Sequence, residues 1–436
     1  MGMTTDALRH LRQTAAAAIS GDLIVEAIRV LAEGPSRRGR ERATAIRLAA
    51  WARSRWPELP WHVEEVGDEG ANLTSTAGDT GPELLVYSHL DTSLSGDIAD
   101  DRWATGIDEP VAPLSLDPVS GLLSGFGLGV ARAPAAAALA GYTAAAAALR
   151  HAGLPHRLRL LLAGGGTHSS PFARRERAEP TGIGEHLRSH PLPAAAVVAK
   201  CGPHGVLHEE PGAVFLRVRL GGAYRPVLAR DDTGGLLANV GVATAILEAW
   251  RAEHLAAKAG AGHQLAAEVG IGAIRGGMPE KPDLLPGIVE LHLYLVAVPG
   301  DDPDEIAGTV LARLRAGIAG GPLAGSRVAV DARMVHPAGV TPPDAPVIRQ
   351  AVAAWHDEHG EPPPAVSGWK GSTDGVVLRG NGIPTARVGP VVAADPADPR
   401  RDVFALETLS RFARLYAGIA LRHALGERAI DIKRFG

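Results

Sequence analysis

At 436 residues the chain exceeds one ordinary core and suits a large α/β body carrying a second domain. With 46% apolar and 21% charged residues it is no disordered chain, and a net charge of −4 without any Lys/Arg block excludes a basic field for nucleic acid or an anionic membrane. Its single cysteine, Cys201, excludes an intrachain disulfide framework and any multi-thiolate metal site, and points to the reducing cytoplasm.

The first 55 residues read as two amphipathic scaffold helices, with SGD at 20–22 as a cap and GPSRRGRE at 34–41 as the connecting loop. ELLVYSHLD at 83–91 is a continuous apolar run ending in polar residues, as a parallel strand buried on both faces would be, so its C-terminal end carries His89 and Asp91. A loop rich in Asp, Pro and Gly follows to Gly129, and Pro134 opens a helix over 135–150. LRLLLAGGG at 158–166 and AAAVVAK at 194–200 are further buried strands that stop abruptly, which completes an α/β alternation. From about 208 the order becomes strand, helix, strand, strand, helix, strand, a split βαβ unit inserted into the body. Body-like segments then return, with a helix at 345–358, a loop, helix and strand over 371–390, and a terminal helix at 405–424. No uncharged apolar run reaches the ~18 residues of a membrane span.

YSHLDTS at 87–93, WATGIDEPVAPLSLDPVSGLLSGFG at 103–127, the inserted unit, and GSTDG with NGIPTARVGP up to 390 come in one order over nearly the whole chain. In that order they resemble the aminoacylase, desuccinylase and carboxypeptidase G family of dinuclear zinc peptidases (clan MH). The resemblance implies a parallel-sheet catalytic domain formed by 1–207 and 335–436, and an inserted ferredoxin-like lid at 208–334 that makes a homodimer. It also implies two metals bridged by water. His89 and Asp91 match the family's HxD motif, but the bridging Asp falls on Val130, the paired acids on Gly165 and Gly166, the next acid on Lys200 and the last His on Asp398, with Asp402 behind it. A methylated side chain and a glycine offer no ligand and an ammonium repels a cation, so no cofactor is expected, His89 and Asp398 being the remnants of the metal site. Zinc would require a different alignment.

Lys200, one of five lysines, is open to two readings. It replaces the metal's charge and works as acid, base or nucleophile, or it only pairs with a retained acid such as Asp91 or Asp398. His89 and Asp91 form a proton-moving dyad or persist as a relic. GGGTHSS at 164–170, with His168, is an anion-binding loop or a loop without a role, and Cys201 is a thiolate beside a cation or an inert buried thiol. On the substrate side the resemblance assigns Ser372, Thr373, Asp374 and Arg387 to a carboxylate, puts Tyr224 or Arg225 where the lid histidine would stand, and matches Asn239 to a lid asparagine. Three functions follow. The chain cleaves an amide or related C–N bond of a small carboxylate-bearing substrate without a dinuclear metal, through His89, Asp91, Lys200 and Asp398. Alternatively it is a pseudoenzyme that binds a small ligand or partner, or a zinc amidohydrolase with other ligands.

Overall fold

The computed structural model describes residues 5–172, 180–260 and 263–426. The body is built on a six-stranded sheet in the order Trp61–Val66, Gly70–Ala77, Leu158–Ala163, Leu84–His89, Ala195–Ala199, Thr385–Val388. The last four run parallel, and the first two form an antiparallel hairpin at one edge. Both faces of the parallel strands are buried, which explains their unbroken apolar sequences. Leu84, Val86, Leu160 and Val197 face the helices Ala133–His151 and Leu406–Leu425, while Leu85, Tyr87, Leu161 and Val198 pack on Ile183, Leu378 and Ile383.

The Ala-rich helix Ala133–His151 is buried rather than superficial, because small side chains let the terminal helix approach. Gly141 is the extreme case, since a Cβ there would lie 2.5 Å from the carbonyl oxygen of Ala413. The N-terminal region holds three helices, not two: Thr5–Ala17, Gly21–Ala32 and Arg42–Arg55. Ser20 accepts a hydrogen bond from the Leu23 amide at 3.2 Å and caps the second of them, in the SGD segment read as a cap.

The insert forms a four-stranded antiparallel sheet in the order Glu268–Gly276, Ile288–Ala297, Gly212–Gly221, Arg327–His336. Helices Val240–Lys258 and Pro303–Ile318 cover the face carrying Val214, Leu216, Val218, Leu291 and Leu293. The opposite face carries Phe215, Arg217, Arg219, Tyr294 and Asp331, as period-two alternation requires. The two chain segments joining insert and body lie side by side, Glu209–Glu210 pairing antiparallel with Gly339–Val340. No helix among the described residues is long and apolar enough to cross a membrane.

Candidate active site

The C-terminal ends of the parallel strands converge because the register sets His89 opposite Ala163, with Lys200 directly after Ala199 on the neighbouring strand. Open α/β sheets bind ligands at such an edge. His89 and Asp91 are almost fully buried, and His89 Nδ1 lies 3.0 Å from Asp91 Oδ1. Asp91 also accepts from the amides of Gly166 at 2.7 Å and Thr167 at 2.8 Å, and from the Thr167 hydroxyl. Burial acts to raise the Asp91 pKa, but its interaction with His89 and these donors outweigh it and hold the carboxyl below its usual range. Burial, then the Lys200 charge, pull the His89 pKa down against the opposing pull of Asp91, and Nδ1 is the ring atom that faces the carboxylate. The ring's Nε2 is left buried without a protein partner.

Lys200 is buried against the same point. Desolvation and the Arg387 charge lower its pKa against the pull of Asp91, Asp374 and Glu210. The two acids considered as its neutralising partners are occupied elsewhere, Asp91 by His89 and Asp398 by Arg400.

Glu41, read in sequence as part of a connecting loop, reaches in from the N-terminal helices. Its Oε1 accepts from the amides of Gly39 at 2.8 Å and Gly165 at 2.9 Å, so it holds the glycine loop from behind. Burial and the neighbouring Asp91 raise its pKa to about 7.

The segment 371–374 divides its roles. Asp374 takes the Tyr87 hydroxyl on Oδ2, leaving Oδ1 buried and unpartnered, and burial raises its pKa. Ser372 Oγ is likewise buried without a partner. Thr373 instead donates to Glu210. Glu210 also takes Arg387 at 2.9 Å and Arg379 at 2.6 Å in a buried cluster. Arg387 additionally donates to the carbonyls of Gly371 at 2.6 Å and Cys201 at 2.5 Å and lies over the Trp369 ring. Expected at a substrate carboxylate, Arg387 is 2% exposed and works as an internal brace.

Other sequence candidates stand apart from this convergence. Asp398 sits on the hairpin of Ala393–Asp395 and Asp398–Ala405, held by both Nε and Nη2 of Arg400; Asp402, four residues on, is the acid that accepts from the Gly129 amide at 2.8 Å. Arg225 pairs with Asp231 on the lid, and Asn239 donates to the carbonyls of Thr233 and Gly235, a local cap. The thiolate reading of Cys201 fails, because burial and the Asp402 charge push the thiol up to about 12.

Two further features, besides Glu41, escaped the sequence. His336, at the end of the last lid strand, reaches His168, the ring centroids 5.2 Å apart, and burial lowers the His168 pKa to about 3. A cleft of about 780 Å³ lies on the open lid face between Phe172 of the body and Arg217, Tyr224, Arg275, Met278 and Arg327. The alternation FLRVRL carried the signal for a basic, aromatic face, but nothing local shows that it looks toward the body.

The expectation of no cofactor meets a contrary observation. Two groups of the described residues could hold a metal ion, Glu64 with His186 and His190, and His168 with His336 and Asp374.

No family model matches the chain, and no curated protein matches it. Solved structures do. The dipeptidase Dug1p of Saccharomyces cerevisiae is 12% identical with a TM-score of 0.65, covering 97% of this chain and 100% of its own. Human carnosine dipeptidase 1 is 14% identical with a TM-score of 0.62, again covering 97% and 100%. A dinuclear metal-binding M20 family peptidase of Bacillus subtilis is 13% identical with a TM-score of 0.55, covering 92% and 97%. The likeness is one of fold, an M20 peptidase-like α/β body with an inserted lid.

Proposed function

We propose that the chain hydrolyses an amide or related C–N bond of a small carboxylate-bearing substrate at the edge where His89, Asp91, Lys200 and Asp374 meet. The observation that carries this reading is the His89–Asp91 dyad at the C-terminal edge of the parallel sheet, whose imidazole Nε2 is buried and unpartnered. The peptidase fold supports the reaction class, by analogy only.

A dinuclear centre of the fold family's kind does not fit the residues around His89. A Cβ on Gly166 would lie 2.6 Å from His89 Cβ, so that position has no room for a carboxylate, and Lys200 presents an ammonium. The hydrolytic step is therefore written with the chain's own groups. His89 Nε2 takes a proton from water as its oxygen adds to the carbonyl carbon, and Asp91 steadies the imidazolium. The Lys200 ammonium faces the oxyanion. As the C–N bond breaks, His89 returns the proton to the leaving nitrogen, giving an acid and an amine. Arg275 and Arg327 on the lid face attract the substrate's carboxylate.

A second copy of the chain is proposed to pair through the lid, whose edge strand Glu268–Gly276 exposes Ile274. Amine release from a panel of N-acyl amino acids and dipeptides tests the function. Lys200→Ala and Asp91→Asn are each expected to lower kcat by about 10²- to 10⁴-fold. An undiminished rate in both variants, or no product from any member of the panel, overturns the proposal. A ligand that raises the Tm without turnover would favour a binding protein.

A further inference from the structure

We infer that His168, His336 and Asp374 form a single-ion site for a first-row divalent cation such as zinc. One ligand atom from each lies within 4.8 Å of the others. They come from three separate parts of the chain: the loop after Leu158–Ala163, the last residue of the lid strand Arg327–His336, and the residue that precedes helix Gly375–Gly380.

Two of the donors have no other use. His168 Nε2 and Asp374 Oδ1 are buried and unpartnered, and Asp374 is only 1% exposed. Buried polar atoms are rarely left so, and a cation satisfies both at once. The other oxygen of Asp374 accepts the Tyr87 hydroxyl, which fixes the carboxylate and aims Oδ1. Bond lengths of about 2.0–2.2 Å place tetrahedral donors a little over 3 Å apart, so the side chains need only turn inward. Two imidazoles and one carboxylate suit zinc, cobalt or ferrous iron and leave a position open.

The second group fails on the same criteria. Glu64 already takes His186 at 2.9 Å, Asn72 at 3.2 Å and Thr74 at 3.2 Å. Arg159 Nη1 lies 3.0 Å from His186 Nε2, and an arginine can only donate, so the ring's proton stands on Nδ1, the atom an ion would need.

Lys200 opposes the ion, since its charge reaches both His168 and Asp374. Its removal must therefore tighten binding, a response that a merely structural trio of side chains would not give. The inference is independent of hydrolysis: metal content decides one and turnover of the metal-free protein the other.

The test is equilibrium dialysis of the full-length protein against Zn²⁺ or Co²⁺, read by metal content and by the visible spectrum of the cobalt form. About one ion per chain is expected, with the intense d–d bands of low coordination number. His168→Gln and Asp374→Asn should each weaken binding by more than about tenfold, Glu64→Gln should not, and Lys200→Met should tighten it by about tenfold. Less than about 0.1 ion per wild-type chain at saturating metal overturns the inference. Full retention in His168→Gln, or two ions lost together in His89→Gln, does the same. Should a variant fail to fold, the cobalt spectrum of the wild type still decides, since octahedral aquo-type bands would mean no such site.

Discussion

Glu41 shows how a single side chain sets the pH response. In the unfolded chain it titrates near 4.5 and in the fold at about 7, so the native state holds an extra proton between those values. Its contribution is full below pH 4.5 and is lost as the pH rises towards 7, by up to about 3 kcal/mol. Urea unfolding from pH 5 to 7.5 should show stability falling with pH in the wild type, and a shallower fall in Glu41→Gln. Equal slopes would remove Glu41 as the cause. Glu64 acts in the opposite direction in a lower window. There burial is outweighed by His186, the pKa is held at about 2, and stability is lost as pH drops below 4.5. At this scale the sequence was legible where a motif names the residue, as for His89 and Asp91, and where an odd residue ends an apolar strand, as for Lys200. It was silent on Glu41 and His336, whose positions depend on long-range packing. For Arg387 the motif found the right neighbourhood and the wrong task, because its partner Glu210 lies far away in sequence.

At the scale of elements, the glycine loop after Leu158–Ala163 is set by contact distance. Gly166→Ala would force its Cβ to within 2.6 Å of His89 Cβ and 2.7 Å of Cγ. Overpacking of this kind costs about 1–3 kcal/mol, and here it also pushes the imidazole off Asp91. The expected result is a lowered Tm together with loss of the downfield Nδ1 proton resonance of His89; a variant with both unchanged would show that the loop yields instead. The strands 84–89, 158–163 and 195–199 were readable because burial on both faces demands unbroken aliphatic runs. The hairpin Trp61–Val66 with Gly70–Ala77 was not, since WHVEEV and GANLTSTA carry polar residues that the edge of the sheet tolerates. The pairing of Ala393–Asp395, Asp398–Ala405 and Leu122–Phe126 depends on partners far apart in the chain.

For the whole molecule, the proposed capture of a carboxylate by the basic lid face predicts a dependence on ionic strength. Arg275 and Arg327 are exposed at the cleft, so their attraction for a carboxylate is screened over roughly 10 Å at 0.1 M salt. KM should rise with salt while kcat holds, and Arg327→Gln should raise KM about two- to fivefold and flatten that dependence. A salt-independent KM would place the recognition of charge elsewhere. The split βαβ order of the lid was legible from alternation and helix spacing, but its orientation over the body was not, because that depends on contacts distant in sequence, such as Leu265 beside Trp369 and Glu268 with Lys370 at 2.7 Å.

The segments through which the chain leaves the body and returns have a further consequence. Glu209–Glu210 lies beside Gly339–Val340, Thr341 donates its amide to the His208 carbonyl at 2.8 Å, and two arginines of the body grip Glu210. To the body, everything from Gly212 to His336 is one closed excursion of the polymer, fastened at its neck. The entropy of closing such an excursion grows only logarithmically with contour length, each doubling adding about 0.6 kcal/mol. Lengthening the excursion in its outer loops is therefore inexpensive for the body so long as the neck and the pairing of Leu265 with Trp369 are kept, whereas a change at Glu210 loosens both ends together.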